Sequence, residues 1–131
     1  MSVNVCGLRS VSGNHEGYWN EPEWNSRIRE LGFRVLDNES VSLDFPGGAV
    51  TIHGVSDSRP DPALAFSGLR PETYSIFLAH RPDHAEAAIA AGIDLQLSGH
   101  THRGQFLPWS LLIRFFHRFS GGLYRVGDTA V

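Results

Sequence analysis

Short apolar runs separated by polar, glycine-rich breaks organise this chain, and the spacing inside each run predicts its element. Trp24, Ile28 and Leu31 recur at i, i+4 and i+7 behind Pro22, and Gly32 follows, so a helix is expected over 22–31. Residues 7–12 predict a short strand running into a Gly-Asn-His turn at 13–15, and 33–36 a second short strand. Apolar and polar residues alternate over 41–45, Pro46-Gly47-Gly48 turns, and 49–55 is extended again, the pattern of a hairpin. The stretch 56–71, with three prolines and two aspartates, reads as a loop with one helical turn near 63–66. A continuous apolar run over 74–79 has buried-strand length. An alanine-rich helix follows over 83–91, ended by Gly92, then a second buried strand over 93–97. Finally, 123–126 and 129–131 flank Gly127-Asp128, a hairpin turn. Strands and helices alternate through the middle, which favours a layered α/β fold.

Composition adds exclusions. A length of 131 residues suits one domain with a real core, and 41% hydrophobic content is ordinary for a globular chain. All 11 basic residues are arginine and the net charge is −3, a poor balance for a general polyanion binder, so no nucleic-acid partner is expected. Cys6 is the single cysteine, so no disulfide forms within the chain. Residues 1–10 have neither the basic nor the apolar region of a signal peptide, and no run approaches the ~20 apolar residues of a membrane span.

Three polar clusters sit where apolar strands stop: Gly13-Asn14-His15-Glu16, then His80-Arg81-Pro82-Asp83, then Gly99-His100-Thr101-His102-Arg103-Gly104-Gln105. Strand ends in α/β sheets are where loops converge on a ligand crevice. Imidazole nitrogen and amide oxygen there suit a divalent transition metal, and the flanking glycines let the backbone approach closely. His100 and His102 share one side of an extended segment, or address two adjacent ions from an irregular turn. A lone histidine is more often a surface or hydrogen-bonded core residue; three clusters in this order reverse that judgement.

Gly-Asn-His-Glu, then Ala-His-Arg-Pro-Asp, then Leu-Ser-Gly-His-Thr-His-x-Gly-Gln resembles the calcineurin-like metallophosphoesterases. The last motif with residues 79–83 resembles the membrane-associated bacterial branch, and the likeness runs from about Ser10 onward. The resemblance implies an α/β fold, the C-terminal half of a four-layer αββα sandwich. It also implies two divalent ions (Mn, Fe, Zn or Mg), a phosphomonoester or phosphodiester substrate, and a membrane-associated parent protein. By the same resemblance Asn14, His80 and His100 ligate one metal and His102 the other. His15 stands by the leaving-group oxygen as general acid, or stabilises developing charge there. Arg103, where the family commonly has glycine, and Gln105 are candidates for contacts to the substrate or behind the ligands.

The departures are specific. The family pattern opens with an Asp-x-His segment and a Gly-Asp segment whose aspartate bridges the metals. Here no aspartate precedes Asp37 and no acidic residue precedes Glu16. The family also commonly continues beyond the C-terminal hairpin. Residues 1–131 are therefore expected to form a partial domain, with at most one weak metal site and little or no hydrolysis. The alternatives are a non-catalytic remnant and a mononuclear metal-binding or interaction module.

Other residues receive structural expectations. His53 lies within a strand, His84 is placed on the surface, and Asp83 caps the alanine-rich helix. Asp57 caps a turn, with support of a ligand histidine as the alternative. Trp19 and Trp24, flanking Pro22, pack as core or lid. The stretch 109–119 crowds seven large apolar residues around Arg114 and Arg118. It reads equally as a segment lying in a membrane surface and as a helix packed on the sheet. The chain alone is expected to be soluble or peripheral.

Overall fold

A computed structural model describes residues 7–102, 108–116 and 118–131. Six strands form one mixed sheet, ordered β3-β4-β5-β6-β8-β7, and β1 pairs with β2 beside it. β1 (Arg9–Ser10) and β2 (Arg34–Val35) are parallel. β3 (Glu39–Phe45) and β4 (Gly48–Gly54) make the expected antiparallel hairpin, with Phe45 opposite Gly48. β4, β5 (Tyr74–Leu78), β6 (Leu95–Leu97) and β8 (Thr129–Ala130) then run parallel, and β7 (Arg125–Val126) closes the order antiparallel to β8. The chain is thus α/β, as its alternating pattern implied.

The helices cross between strands. α3 (Pro62–Ala65) is the single turn expected in the proline-rich loop, capped by Asp61, whose carboxylate accepts the Leu64 N–H at 2.9 Å. α4 (Ala85–Ala91) links β5 to β6 and ends at Gly92 in the left-handed conformation (φ 74°), which glycine adopts without steric cost. Its Ala88 packs with Val55, Phe77, Ala79 and Ile93 into the core, and Phe66 and Leu69 lean on the same cluster. Removing Phe77 from water is worth roughly 1.5–3 kcal/mol. Asp94 pins the start of β5, accepting the Ser75 N–H at 2.6 Å and the Ser75 hydroxyl at 2.7 Å.

Several expectations are corrected. Residues 13–15 do not form a turn; they open a helix, α1 (Asn14–Trp19), because Gly13 is extended at its N-cap and the Glu16 carboxylate accepts the Gly13 N–H at 2.7 Å. α2 (Glu21–Glu30) is present, but its apolar stripe does not face the core: Leu31 is 76% exposed and Trp24 about half exposed. Its inner side carries Asn25 and Glu21 instead, and Glu21 accepts hydroxyl donors from Ser12 (2.5 Å), Ser56 (3.2 Å) and Ser58. Trp19 is likewise solvent-facing, at 83%. Asp83 does not cap α4; it lies within a tight turn, Pro82–His84, and His84 is half-buried at the cap position.

Candidate metal centre

The parallel order brings the ends of β5 and β6 side by side, and their continuations carry the histidines. Ala79 N–H donates to Leu97 O at 3.1 Å and Gly99 N–H to His80 O at 3.0 Å, so strand pairing extends into the functional loops. α1 presents Asn14 from its first turn toward the same point.

Three of the expected ligand atoms meet there. His80 Nε2 lies 2.7 Å from Asn14 Oδ1, His100 Nδ1 lies 3.3 Å from Asn14 Oδ1, and the two ring nitrogens stand 3.2 Å apart. The rings meet edge to face, centroids 5.0 Å apart. For a metal–donor distance of about 2.1 Å, neighbouring donors on a tetrahedral or octahedral ion stand about 3.0–3.4 Å apart. The two edges to His100, 3.3 and 3.2 Å, match that spacing, whereas the His80–Asn14 edge of 2.7 Å is a hydrogen-bond distance that must open by about 0.3 Å for both donors to reach one ion. Among the described residues no three His, Cys, Asp or Glu side chains converge; the third corner here is an amide oxygen.

Two details hold the triangle. Gly13 is required by space: a methyl group there would stand 3.0 Å from His80 Cε1 and Nδ1. Asn14 Nδ2 donates to Tyr18 Oη at 3.2 Å, which turns the amide so that Oδ1 faces the histidines. The His100 loop is strained, with His100 (φ 64°) and His102 (φ 48°) both left-handed, a conformation costly for residues other than glycine. Thr101 anchors it by donating its hydroxyl to Ser120 O at 2.9 Å.

Burial holds the His80 imidazole below its ordinary pKa; His100 and Arg81 push the same way, against Asp57 and Glu16. A neutral ring is the form a metal requires.

The remaining candidates lie around this point. His102 is exposed and lines the same open depression as His100, outside the triangle. His15 is exposed on α1, its ring 5.8 Å from that of Tyr18. Arg103 and Gln105 lie outside the described residues. Sequence reading gave Arg81 and Tyr18 no role and gave Asp57 a turn cap, with support of a ligand histidine as the alternative. In the structure Arg81 donates from Nε (2.8 Å) and Nη2 (3.2 Å) to the two oxygens of Asp57. The available signal was position alone, Arg81 directly after a candidate ligand and Asp57 directly after a strand.

Comparison with known proteins finds relatives along nearly the whole chain. The chain is 32% identical over 142 residues to a cattle (Bos taurus) protein named transmembrane protein with metallophosphoesterase domain, covering 94% of this chain and 32% of that one. It is 34% identical over 132 residues to an uncharacterized metallophosphoesterase of Helicobacter pylori, covering 94% and 35%. With one of Bacillus subtilis it is 31% identical over 134 residues, covering 95% and 47%. No family model and no solved structure matches it. The chain is thus similar along about 94% of its length to proteins named metallophosphoesterase, and it spans about a third to a half of the length of these relatives.

Proposed function

We propose that this chain carries part of a two-metal centre that hydrolyses a phosphomonoester or phosphodiester, with Asn14, His80 and His100 ligating one ion and His102 a second. The observation that supports this is the triangle of Asn14 Oδ1, His80 Nε2 and His100 Nδ1, with edges of 2.7–3.3 Å. Divalent ions, when bound, supply charge neutralisation for the phosphate and an activated nucleophile. The protein's own part is to hold three donors together through strand ends and a helix start. His15, next to Asn14 and open to solvent, is assigned the proton passed to the leaving-group oxygen. Residues 1–131 act as a partial domain in this reading: they close one ion's face and give the other a single donor.

Alone, the chain is therefore expected to bind one Mn²⁺ weakly and to turn over p-nitrophenyl phosphate esters little or not at all. Calorimetric titration with Mn²⁺ tests the assignment. His100→Ala should abolish binding; a wild-type chain that takes up no Mn²⁺ overturns the metal reading. Two ions per chain, with brisk hydrolysis that His100→Ala removes, would overturn the partial-domain reading.

α5 (Trp109–Phe116) supports a second, separate reading, contact with a membrane surface. Ile113 is buried, whereas Leu112, Phe115 and Phe116, at i, i+3 and i+4, are exposed, Phe115 by 84%. Among the described residues no helix is long and apolar enough to cross a membrane, so the contact would be peripheral.

A further inference from the structure

The Asp57–Arg81 pair is more than the triangle needs. Asp57 is all but buried, its side chain 4% exposed, whereas Arg81 is 42% exposed. One face of the guanidinium, Nε and Nη2, is committed to the carboxylate. The N–H groups of Nη1 have no partner among the described residues. A long, flexible side chain has thus already been ordered on folding, by an acceptor that solvent barely reaches, and still presents donors outward.

Its place is defined by its neighbours. Arg81 follows His80 in sequence, and the backbone N–H of Asp57 donates to Ser12 Oγ at 3.4 Å, two residues before Asn14. The Asp57–Arg81 pair therefore joins the two segments that supply the Asn14–His80 edge of the triangle. The chain has no lysine, and Arg81 is the arginine next in sequence to a residue of the triangle. A planar fork with unspent N–H donors matches adjacent phosphate oxygens, and donors fixed in advance lose less on binding.

We propose that Arg81, locked by Asp57, is an anion anchor that grips a non-bridging oxygen of the phosphate held at the Asn14–His80–His100 triangle. This rests on the metal reading above and extends it from ligands to substrate. The competing role is a purely structural staple between the loops that follow β4 and β5.

The test is calorimetric titration of inorganic phosphate into the Mn²⁺-loaded chain, beside thermal melts and separate Mn²⁺ titrations. Arg81→Gln should weaken phosphate binding about tenfold, the size of one charge-assisted contact, and leave Mn²⁺ affinity within about twofold. Asp57→Asn keeps the guanidinium, so it should cost phosphate affinity about threefold or less, although it lowers the melting temperature as much as Arg81→Gln does. Arg81→Lys, which keeps charge but not the fork, should fall between them and serves if Arg81→Gln does not fold. Phosphate affinity unmoved by Arg81→Gln, or falling in Asp57→Asn as far as in Arg81→Gln, leaves a staple and overturns the anchor. So does a wild-type chain that binds Mn²⁺ but not phosphate. A chain that binds no Mn²⁺ instead overturns the metal reading, and the two failures appear in different titrations.

Discussion

Gly13→Ala isolates the geometry that makes the triangle. The added methyl would stand 3.0 Å from His80 Cε1 and Nδ1 and 3.2 Å from Glu16 Oε2. Carbon atoms reach their best separation near 3.5–4.0 Å, so the imidazole must retreat by about half an ångström. A metal site tolerates about 0.2 Å in donor distance. The displacement exceeds that tolerance, so the ring leaves ion range although no ligand has been replaced. Losing the support of one ligand typically costs about 10–100-fold in metal affinity, and forcing a methyl into a filled space costs about 1–3 kcal/mol of stability. The paired control is Gly17→Ala in the same helix, where the methyl meets nothing within 4 Å. There alanine should stabilise by about 0.5–1 kcal/mol and leave the metal alone. Mn²⁺ titration and urea unfolding of both variants decide it. If Gly13→Ala binds Mn²⁺ within twofold of wild type while folded, the close approach of Gly13 to His80 is not what sets the site, and the reasoning fails.

The remaining predictions concern the scaffold and the surface. His53 is wholly buried, and burial lowers its pKa despite the contact of Nδ1 with Ala65 O at 2.8 Å; the unfolded chain therefore binds a proton near pH 6.5 that the folded one refuses, and stability should be full above that pH and fall as pH drops below it. Urea midpoints at pH 8 and 5.5 measure this, and a midpoint that rises on acidification refutes it. Gly54→Ala should be among the most damaging glycine substitutions, about 3 kcal/mol, since its methyl would meet Leu36 Cβ at 2.3 Å and Val11 Cγ1 at 2.9 Å; near-normal unfolding would contradict that packing. Phe115→Ser with Phe116→Ser should abolish co-sedimentation with anionic vesicles, and retention of binding in the double variant removes α5 from the membrane reading.

What could be read from the sequence follows physical lines. The β3–β4 hairpin, the single turn of α3 and the alanine-rich α4 each owe their form to local causes, namely Pro46-Gly47, the Asp61 cap and the left-handed Gly92. Local signals fail where tertiary contacts decide. The stripe of Trp24, Ile28 and Leu31 has perfect helical spacing, yet α2 turns Asn25 and Glu21 inward, because three serine hydroxyls from other segments satisfy the Glu21 carboxylate. Burial alone opposes ionisation of that group, and the hydrogen bonds from Ser12, Ser58 and Ser56, with the charge of Arg59, outweigh it and lower its pKa. A partner 35 residues away leaves no periodic trace in sequence.

The site divides in the same way. Candidate ligands were legible because metal chemistry restricts which side chains can serve, and the positions of His80 and His100 beyond β5 and β6 followed from the apolar runs before them, whereas Asn14 opens a helix that the sequence reading took for a turn. What lies behind the ligands was not legible, because support can come from many residue types. Tyr18 orients the Asn14 amide, Gly13 yields space to His80, and Asp57 fixes Arg81. Each is ordinary by composition and is set apart only by distance. The three candidate donor atoms depend on these unremarkable neighbours, so a motif can persist in sequence while one methyl at Gly13 removes its geometry. The motif then shows ancestry, and the distances around it decide whether the chain can still hold a metal.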